Sequence, residues 1–390
     1  MKNLCILGST GSIGRNVLRV VEAHGDILRP LVLSARKNLD LLLEQARKFR
    51  PKTCVIADTE VPISIARELS ELGVEVVLGE DALPEVATLP EVDLLVCATE
   101  GMSGFIPMVR ALKAGKSVLF ANKEAFVSGS EVIMPLAREN PGKLIPLDSE
   151  HSAIFQCLRA GKMEEVEKII LTASGGPFWR KTLDELKNAS LEDVLAHPTW
   201  KMGKKVTVNS ATLFNKGLEV LEAMSLFEIP LSKIEVLLHP QSIVHGIVAF
   251  RDGSMLAQMS ETDMAVPIQY ALTYPERISG VVRQVALEQI GRLEFCKVDP
   301  ERFPAVFLCY EAGEKPWWVR CALCAINEAL VDKFLAGKIS FYELSTKLAP
   351  LFSQREKVIF ENFGAHTPTA TVDNVLKVFN LFYEFGRNAT

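Results

Sequence analysis

Two things are missing from the sequence: long hydrophobic runs and an excess of positive charge. No stretch of about 18 apolar residues occurs, so no helix is expected to cross a membrane. The formal net charge is −5 and the pI is about 5.8, which leaves no electrostatic basis for binding nucleic acid or an anionic membrane surface. An anionic substrate must therefore be held by local groups of the protein.

The eight cysteines lack the spacing of a metal site. They are scattered through apolar segments, and the one close pair, Cys321 and Cys324, has no second pair that could complete a zinc site. We therefore expect reduced core cysteines, as in a cytoplasmic protein. The first residues run directly into a glycine-rich turn and show no secretory or transit segment, which favours the same compartment.

With 390 residues, the chain exceeds what a single hydrophobic core usually supports. Residues 1–148 alternate short apolar runs with helical patterns, which predicts a Rossmann-like, doubly wound parallel sheet in an α/β protein. Residues 149–280 predict a smaller α+β domain whose sheet contains antiparallel pairing. Residues 281–309 are interpreted as a linker, and residues 310–390 predict a C-terminal helical domain.

A glycine-rich segment follows the first predicted strand and opens an amphipathic helix. Its glycines, Gly8, Gly11 and Gly14, have the spacing G-x-x-G-x-x-G, which is looser than the usual dinucleotide pattern. In this context, backbone N–H groups and the positive end of the helix can receive a pyrophosphate. Further backbone amides come from Thr10, Ser12 and Ile13. The segment therefore predicts a dinucleotide site.

The end of the second predicted strand distinguishes between the two nicotinamide cofactors. An NAD site usually carries an acid there, which binds the 2′-hydroxyl of the ribose. In this chain the segment reads "SARKN", and Arg36 and Lys37 suit a 2′-phosphate instead. This favours NADPH and makes residues 1–148 its binding domain. Two solvated surface cations would give the same pattern.

A further apolar run ends in two acids, Asp148 and Glu150. One interpretation is a helix N-terminus, where an acid caps free backbone N–H groups and favours the positive end of the helix dipole. The other is a metal site, because carboxylates two residues apart on an extended segment point to the same side and can hold a hard cation. The segment alone does not decide between them.

Another strand pattern ends in "ANKE", which places Asn122, Lys123 and Glu124 at the carboxyl edge of the predicted sheet. Open α/β sheets bind their ligands at this edge. Lys123 can neutralise or hydrogen-bond a substrate oxygen beside a metal. A neighbouring Lys and Glu are otherwise an ordinary solvated surface feature.

Residues 172–219 hold the densest group of polar motifs. The turn "SGGPF" offers its backbone amides and the Ser174 hydroxyl to a phosphate. His197 and Trp200 lie in a polar, glycine-containing connection typical of a closing loop, although an isolated histidine is more often structural. Ser210 comes just before a predicted helix.

That helix carries Asn215 and Glu219 four residues apart, and therefore on one face, with Lys216 adjacent. A solvated face of an amphipathic helix is the simpler interpretation. It does not explain Gly217, because a glycine inside a helix costs about 1 kcal/mol unless something approaches the backbone closely.

Taken together, these motifs resemble those of the 1-deoxy-D-xylulose 5-phosphate reductoisomerase family over essentially the whole chain. The matching segments are "GSTGSIG", "ANKE", "LDSEHSAIFQ", "TASGGPF", "HPTWKMG", "NSATLFNKGLE", "HPQSIVHG" and "PERFPA". The resemblance implies a homodimeric oxidoreductase that rearranges a phosphorylated ketose and reduces it with NADPH to 2-C-methyl-D-erythritol 4-phosphate, in non-mevalonate isoprenoid precursor synthesis. It makes residues 149–280 the catalytic and connective domain.

The same resemblance implies roles for individual residues. The divalent metal would be bound by Asp148, Glu150 and Glu219. The substrate would contact Lys123, Ser149, Glu150, Ser174, His197, Trp200, Ser210, Asn215, Lys216 and Glu219. The cofactor would contact Thr10, Gly11, Ser12, Ile13, Ala35, Arg36, Lys37, Asn38, Asn122, Glu124 and Gly203. The catalytic residues would be Lys123, Asp148, Glu150, His197 and Glu219, and the loop from His197 to Met202 would form a closing lid.

The chemistry of the side chains agrees with that assignment. An oxygen-only set of carboxylates suits Mg²⁺ or Mn²⁺ rather than zinc, with Co²⁺ as a further candidate. Such an ion polarises a ketone and stabilises the negative charge that develops on its oxygen. The chain departs from the family pattern at Asn209, where Asp is expected, at residues 324–329, and at Trp179, which bears on the outer packing of the lid.

Two other functions fit part of the sequence. A semialdehyde dehydrogenase would need a nucleophilic cysteine beside the nicotinamide, for which Cys97 is the one candidate, and its apolar surroundings indicate burial. A non-catalytic NADPH-binding regulator would have no use for three converging acids. Dependence of NADPH oxidation on a metal distinguishes these functions.

Overall fold

The computed structural model describes residues 1–140, 144–200, 202–364 and 367–389. Lys143 of the predicted domain 1–148, Lys201 of the predicted lid and Thr390 of the predicted helical domain lie outside the described residues. The chain forms two compact units, each discontinuous in sequence. Unit 1 contains residues 1–125, 133–152 and 263–283. Unit 2 contains residues 126–132, 153–262 and 284–390.

Unit 1 is built on a seven-stranded sheet. Its strands are β1 (Lys2–Leu7), β2 (Leu28–Ala35), β3 (Thr53–Ile56), β4 (Glu75–Leu78), β5 (Leu94–Cys97), β6 (Ser117–Phe120) and β7 (Leu144–Pro146). They lie in the order β4-β3-β2-β1-β5-β6-β7, and every neighbouring pair is parallel. The strand order reverses between β1 and β5, and such a reversal opens the crevice in which doubly wound sheets bind ligands.

Helices connect these strands, and the last helix follows β7. They are α1 (Ser12–Ala23), α2 (Leu39–Phe49), α3 (Ile63–Glu71), α4 (Ala82–Val86), α5 (Phe105–Lys113), α6 (Lys123–Glu139) and α7 (Ser149–Cys157). Helix α1 forms because its apolar residues recur at helical spacing, and it buries Val17, Val20 and Val21. This arrangement of parallel strands and covering helices is the predicted doubly wound sheet.

Unit 2 contains a mixed five-stranded sheet. Its strands are β8 (Val166–Ala173), β9 (Ile234–Leu238), β10 (Val244–Phe250), β11 (Met255–Met259) and β12 (Cys296–Lys297). They lie in the order β11-β10-β8-β9-β12, and all pairs are antiparallel except β8 with β9. Strands β10 and β11 form a hairpin with the predicted antiparallel pairing, and Gly253 supplies the positive φ of +88° at its turn.

The remaining helices follow β8. They are α8 (Leu183–Lys187), α9 (Leu191–Leu195), α10 (Lys204–Ala211), α11 (Phe214–Leu226), α12 (Ala265–Thr273), α13 (Leu287–Ile290), α14 (Pro304–Gly313), α15 (Trp317–Leu335), α16 (Phe341–Ser353), α17 (Arg355–Phe363) and α18 (Val372–Asn388). Short 3₁₀ turns lie at Gly101–Gly104, Leu158–Ala160, Met163–Glu165, Gly176–Phe178 and Leu231–Lys233. The mixed sheet and the helical C-terminal region confirm the predicted fold class.

Each unit has its own packing. In unit 1, α12 packs on α1, and Arg19 pairs with Asp263 at 2.8 Å. In unit 2, buried residues of α11 such as Val220 pack against Ile169 and Leu171 of β8. Among the described residues, no helix is both long and apolar enough to span a bilayer. The division into four consecutive domains stays a prediction.

Candidate active site

The glycine-rich segment forms a tight turn between β1 and α1. Gly8 has a φ of +84°, and a Cβ there would lie 2.5 Å from the Ala98 carbonyl oxygen. A Cβ on Gly14 would clash with the Gly8 carbonyl oxygen, so both positions accept only glycine. Gly11 precedes α1 and leaves the described helix start without a side-chain cap. The uncapped start of a helix after a parallel strand is suited to an anion.

Two residues that the sequence did not single out fix this turn. Ser34 Oγ, on β2, accepts a hydrogen bond of 2.9 Å from the Gly8 N–H. Buried Ser9 donates to Gln45 Oε1 at 2.7 Å, and Gln45 Nε2 donates to the Ser9 carbonyl oxygen at 2.9 Å. These hydrogen bonds tie the turn to β2 and α2, so the backbone is held in place before any ligand binds.

The segment after β2 is exposed, apart from its first residue. Ala35 is buried at the end of the strand, whereas Arg36 and Lys37 are exposed. Arg36 forms an ion pair with Glu80, which follows β4. Asn38 caps α2 by accepting a hydrogen bond of 3.3 Å from the Leu41 N–H. The two predicted cations therefore lie at the carboxyl edge of the sheet, with an acid that the sequence did not reveal.

Asn122 lies at the same edge, between β6 and α6. Its side-chain oxygen caps α6 by accepting from the Ala125 N–H at 2.9 Å. Its amide donates to the carbonyl oxygens of Thr99 at 2.8 Å and Gly101 at 2.7 Å. The side chain thus joins the ends of β5 and β6. Glu124, in the first turn of α6, is half-buried.

Asp148 is both a helix cap and part of a charged cluster. Its Oδ1 accepts from the backbone N–H groups of Glu150 at 3.1 Å and His151 at 3.2 Å, and it contacts His151 Nδ1 at 2.9 Å. Its Oδ2 lies 2.6 Å from Lys123 Nζ. The cap interpretation therefore holds, and it does not exclude a metal, because one carboxylate can perform both functions.

The three predicted metal ligands come together. Asp148, Glu150 and Glu219 each offer a carboxylate oxygen, and these oxygens all lie within 4.8 Å of one another. Asp148 and Glu219 are buried, and the Ser149 hydroxyl donates to Glu150 Oε2. Like charges this close are unfavourable unless a cation or donors balance them. The arrangement therefore suits a divalent ion with oxygen ligands.

Helix α11 presents Glu219 with two donors. Asn215 Nδ2 donates to Glu219 Oε1 at 2.6 Å, and Lys216 Nζ pairs with Glu219 Oε2. Lys216 and Glu219 are 4% and 1% exposed, so the alternative of a solvated helix face does not hold for these two residues. A Cβ on Gly217 would lie 2.5 Å from Cys309 Sγ, so the expected close approach comes from α14.

The turn after β8 places Ser174 against His197. His197 Nδ1 accepts from the backbone N–H groups of Thr199 at 3.1 Å and Trp200 at 2.9 Å, so its proton is on Nε2. Nε2 lies 3.0 Å from Ser174 Oγ and donates to it. The Gly176 N–H also points at this oxygen, at 3.4 Å. The Ser174 hydroxyl hydrogen can therefore be donated to a further acceptor.

Burial lowers the pKa of His197 from its ordinary 6.5 to about 4. The unfolded chain therefore takes up the proton first, so the stabilisation from neutral His197 is complete above pH 6.5 and is lost as the pH falls toward 4. Between pH ~7.5 and ~5 we expect the melting temperature of the wild type to fall about 2 °C more than that of His197→Gln, which cannot titrate. Equal decreases in thermal scans of both proteins would contradict this assignment.

The described part of the predicted lid makes contacts within unit 2. The Trp200 ring meets His245 of β10 edge-on, with centroids 6.1 Å apart. Gly203 immediately precedes α10, and Ser210 is buried near the end of that helix. Lys205 of α10 pairs with Glu328 of α15 at 3.0 Å. Helix α15 thus anchors the helix that follows the lid.

The departures from the family pattern have local explanations. Asn209 accepts a hydrogen bond of 2.9 Å from Asn327, so two of these departures meet in one buried contact between α10 and α15. Trp179 packs over Gly175, where a Cβ would lie 2.6 Å from the Trp179 Cβ. The Arg180 guanidinium stacks on the Trp179 ring at 4.0 Å. None of these contacts involves a predicted metal ligand.

Cys97 is unsuited to nucleophilic catalysis. It is fully buried at the end of β5, and burial raises the pKa of its thiol to about 11. Its Sγ lies 3.7 Å from the Gly104 carbonyl oxygen. A reactive thiol needs an accessible, stabilised thiolate, so the semialdehyde dehydrogenase alternative loses its nucleophile.

A glycine turn on a parallel sheet, a lysine at its carboxyl edge and a group of three acids define a dinucleotide-dependent oxidoreductase with a divalent-metal site. Three family models match the chain: 1-deoxy-D-xylulose 5-phosphate reductoisomerase over residues 4–130, its C-terminal domain over residues 144–227, and the DXP reductoisomerase C-terminal domain over residues 259–379. The chain belongs to the 1-deoxy-D-xylulose 5-phosphate reductoisomerase family.

Known members are similar over almost the whole chain. The reductoisomerase of Protochlamydia amoebophila is 44% identical over 92% of this chain and 93% of its own length. That of Geobacter metallireducens is 44% identical over 96% of both chains. A crystal structure of DOX-P reductoisomerase with NADPH, fosmidomycin and magnesium has a TM-score of 0.89 and 32% identity, and covers 99% of this chain and 97% of its own. The Zymomonas mobilis enzyme with NADPH has a TM-score of 0.87 and 34% identity, with coverage of 99% and 98%.

Proposed function

We propose that this chain converts 1-deoxy-D-xylulose 5-phosphate into 2-C-methyl-D-erythritol 4-phosphate by rearrangement and NADPH-dependent reduction, in isoprenoid precursor synthesis. Family membership supports this activity. The observation that carries the proposal is the group formed by Asp148, Glu150 and Glu219. In the test, the purified protein oxidises NADPH only when the ketose phosphate and Mg²⁺ or Mn²⁺ are both present. Metal-independent turnover would contradict the proposal.

Asp148, Glu150 and Glu219 are proposed to hold the divalent ion. The donors fit, because all three are carboxylates and the oxygens lie within 4.8 Å of one another. Mg²⁺ and Mn²⁺ are the expected ions, with Co²⁺ as a further candidate. When bound, the ion polarises the ketone oxygen and stabilises the charge that develops on it. The solved relative that contains magnesium supports this assignment.

The remaining polar side chains are proposed to orient the substrate. Lys123 brings a positive charge beside Asp148, where it can hydrogen-bond a substrate oxygen. Ser174 keeps a hydroxyl hydrogen for a phosphate oxygen, because His197 Nε2–H already donates to its Oγ. Further proposed contacts come from Ser149, Ser210, Asn215 and Lys216. His197 and Trp200 belong to the loop that would close over the substrate and exclude water.

The cofactor is proposed to lie along the carboxyl edge of the unit 1 sheet. The start of α1 would receive the pyrophosphate, and Arg36 and Lys37 would bind the 2′-phosphate of NADPH. The proposed contacts are Thr10, Gly11, Ser12, Ile13, Ala35, Arg36, Lys37, Asn38, Asn122, Glu124 and Gly203. The solved relatives that contain NADPH support the choice of this cofactor.

Neutralising both cations should erode the preference for NADPH. We expect the double change Arg36→Gln, Lys37→Gln to lower the ratio of kcat/KM for NADPH over NADH about tenfold or more, because charged hydrogen bonds to the 2′-phosphate are lost. The matched control is Arg47→Gln, Lys48→Gln, which removes two adjacent exposed cations of α2. An unchanged ratio in the first variant, or an equal loss in the control, would show that Arg36 and Lys37 are ordinary surface cations.

We further propose that the protein is a cytoplasmic homodimer. All eight cysteines are free thiols, as expected in a reducing compartment. Strand β11 is an edge strand of the second sheet, and its Met255 and Leu256 are 54% and 40% exposed. A second copy of the chain is the proposed cover for this apolar edge. Light scattering of the intact protein tests the dimer.

A further inference from the structure

An acid at the sheet edge faces the residue proposed to recognise the 2′-phosphate. Arg36 follows β2, and its guanidinium pairs with the carboxylate of Glu80, which lies two residues beyond β4. Both side chains are exposed, at 53% and 45%. We propose that Glu80 competes with the 2′-phosphate of NADPH for Arg36 and so limits the preference for NADPH over NADH. This inference rests on the proposed NADPH-dependent function.

The strand order shows in which direction the ion pair with Glu80 holds the Arg36 side chain. The glycine turn follows β1, which lies on one side of β2. Strand β4 lies on the other side of β2 and is separated from it by β3. Pairing with Glu80 therefore draws the Arg36 guanidinium toward the β4 edge, away from the strand that carries the pyrophosphate turn. Glu80 is held at this edge because the neighbouring Gly79 N–H donates to the Ile56 carbonyl oxygen of β3 at 2.9 Å.

The competition follows from charge. A 2′-phosphate that binds Arg36 must displace the Glu80 carboxylate or lie close to it, and two negative groups that share one guanidinium repel each other. The pair is exposed, so it is weak enough for the phosphate to displace. NADH carries a 2′-hydroxyl in place of the phosphate, and Glu80 does not repel it. Glu80 therefore acts against NADPH selectively.

The experiment compares two matched ion pairs. Arg47 and Glu68 pair through the same atoms as Arg36 and Glu80, with exposures of 52% and 42%. For Glu80→Gln we expect the Kd of NADPH to fall about threefold at low salt, and this gain in affinity should become smaller at high salt. The Kd is measured from the change in NADPH fluorescence on binding. The Kd of NADH should stay unchanged. Glu68→Gln should leave both constants at wild-type values.

A second pair of variants tests whether Glu80 acts through Arg36. In the Arg36→Gln protein the added change Glu80→Gln should improve NADPH binding by less than it does in the wild type, because no guanidinium is released. Unchanged or weaker NADPH binding in Glu80→Gln would overturn the proposal, as would an equal gain for NADH. If the wild type binds NADH but not NADPH, the proposed cofactor itself is wrong, which is a separate and recognisable failure.

Discussion

Glu219→Gln is expected to lower the rate of metal-dependent NADPH oxidation about a thousandfold, since an ion that polarises the ketone contributes several kcal/mol to the barrier. The amide keeps the size of the side chain and can still accept from Asn215, but it removes the charge that the ion needs. Glu219 is 1% exposed, so bulk water has little access to the position of the lost carboxylate. The steady-state rate is measured against Mn²⁺ concentration. The Kd of NADPH is measured as well and should be that of the wild type.

The control for Glu219→Gln is Glu235→Gln, which removes another carboxylate of unit 2 that is paired with a lysine, Lys168. It should keep the wild-type rate. Adding Asp148→Asn to Glu219→Gln should cost little more than either change alone, because both residues serve one ion. Additive losses would indicate separate roles, and a normal rate in Glu219→Gln would remove this residue from the metal site.

Lys123→Met is expected to lower kcat/KM about a hundredfold, because an oriented charged hydrogen bond to the substrate is lost. Its affinity for Mn²⁺ should be no weaker than that of the wild type. Lys123 Nζ lies 2.6 Å from Asp148 Oδ2 and is mostly buried, so its removal leaves the carboxylate more available to a cation. Initial rates measure the loss of kcat/KM, and calorimetric titration measures the affinity for Mn²⁺.

The control for Lys123→Met is Lys52→Met, since Lys52 also lies 2.6 Å from its acidic partner, Glu91, in unit 1. Its kcat/KM should be that of the wild type. If Lys123→Met instead weakened Mn²⁺ binding in proportion to its loss of rate, Lys123 would support the metal site and would have no separate part in substrate binding.

The parallel sheet was predictable because each strand of unit 1 is a short apolar run between helical patterns. The strand pairing in unit 2 was harder to predict from the sequence. The β10–β11 hairpin has a local turn signal, whereas β8 and β9 pair in parallel across more than 60 intervening residues, and β12 contains two residues. Local pattern does not encode such long-range pairing. The packing of α12 on α1 is equally remote in sequence.

For the site, the sequence indicated residue types but not their partners. Asp148 at the start of a helix was visible, while its contact with Lys123 depends on the adjacency of β6 and β7. Ser34, Gln45 and Glu80 carry no motif, because their roles come from neighbouring strands and helices. Distances across a sheet are set by strand order, which the sequence implies only indirectly.

The motif "HPQSIVHG" illustrates the same limit. His239 is fully buried, and its Nε2 accepts from the backbone N–H groups of Ile243 at 3.2 Å and Val244 at 3.1 Å. Its Nδ1 donates to the Glu294 carbonyl oxygen at 2.8 Å. Burial lowers the pKa of His239, so the ring stays neutral and joins two segments of unit 2. The motif carried the resemblance, but this histidine has a structural role.

The most direct test is calorimetric titration of Mn²⁺ into Asp148→Asn. Asparagine caps a helix about as well as aspartate, so the hydrogen bonds from the Glu150 and His151 N–H groups are kept. The control is Asp263→Asn, where the acid likewise accepts a backbone N–H, from Ala265 at 2.9 Å, and pairs with Arg19. We predict at least about tenfold weaker Mn²⁺ binding in Asp148→Asn and wild-type binding in the control. Wild-type Mn²⁺ affinity in Asp148→Asn would show that Asp148 only caps its helix and would contradict the proposed metal site.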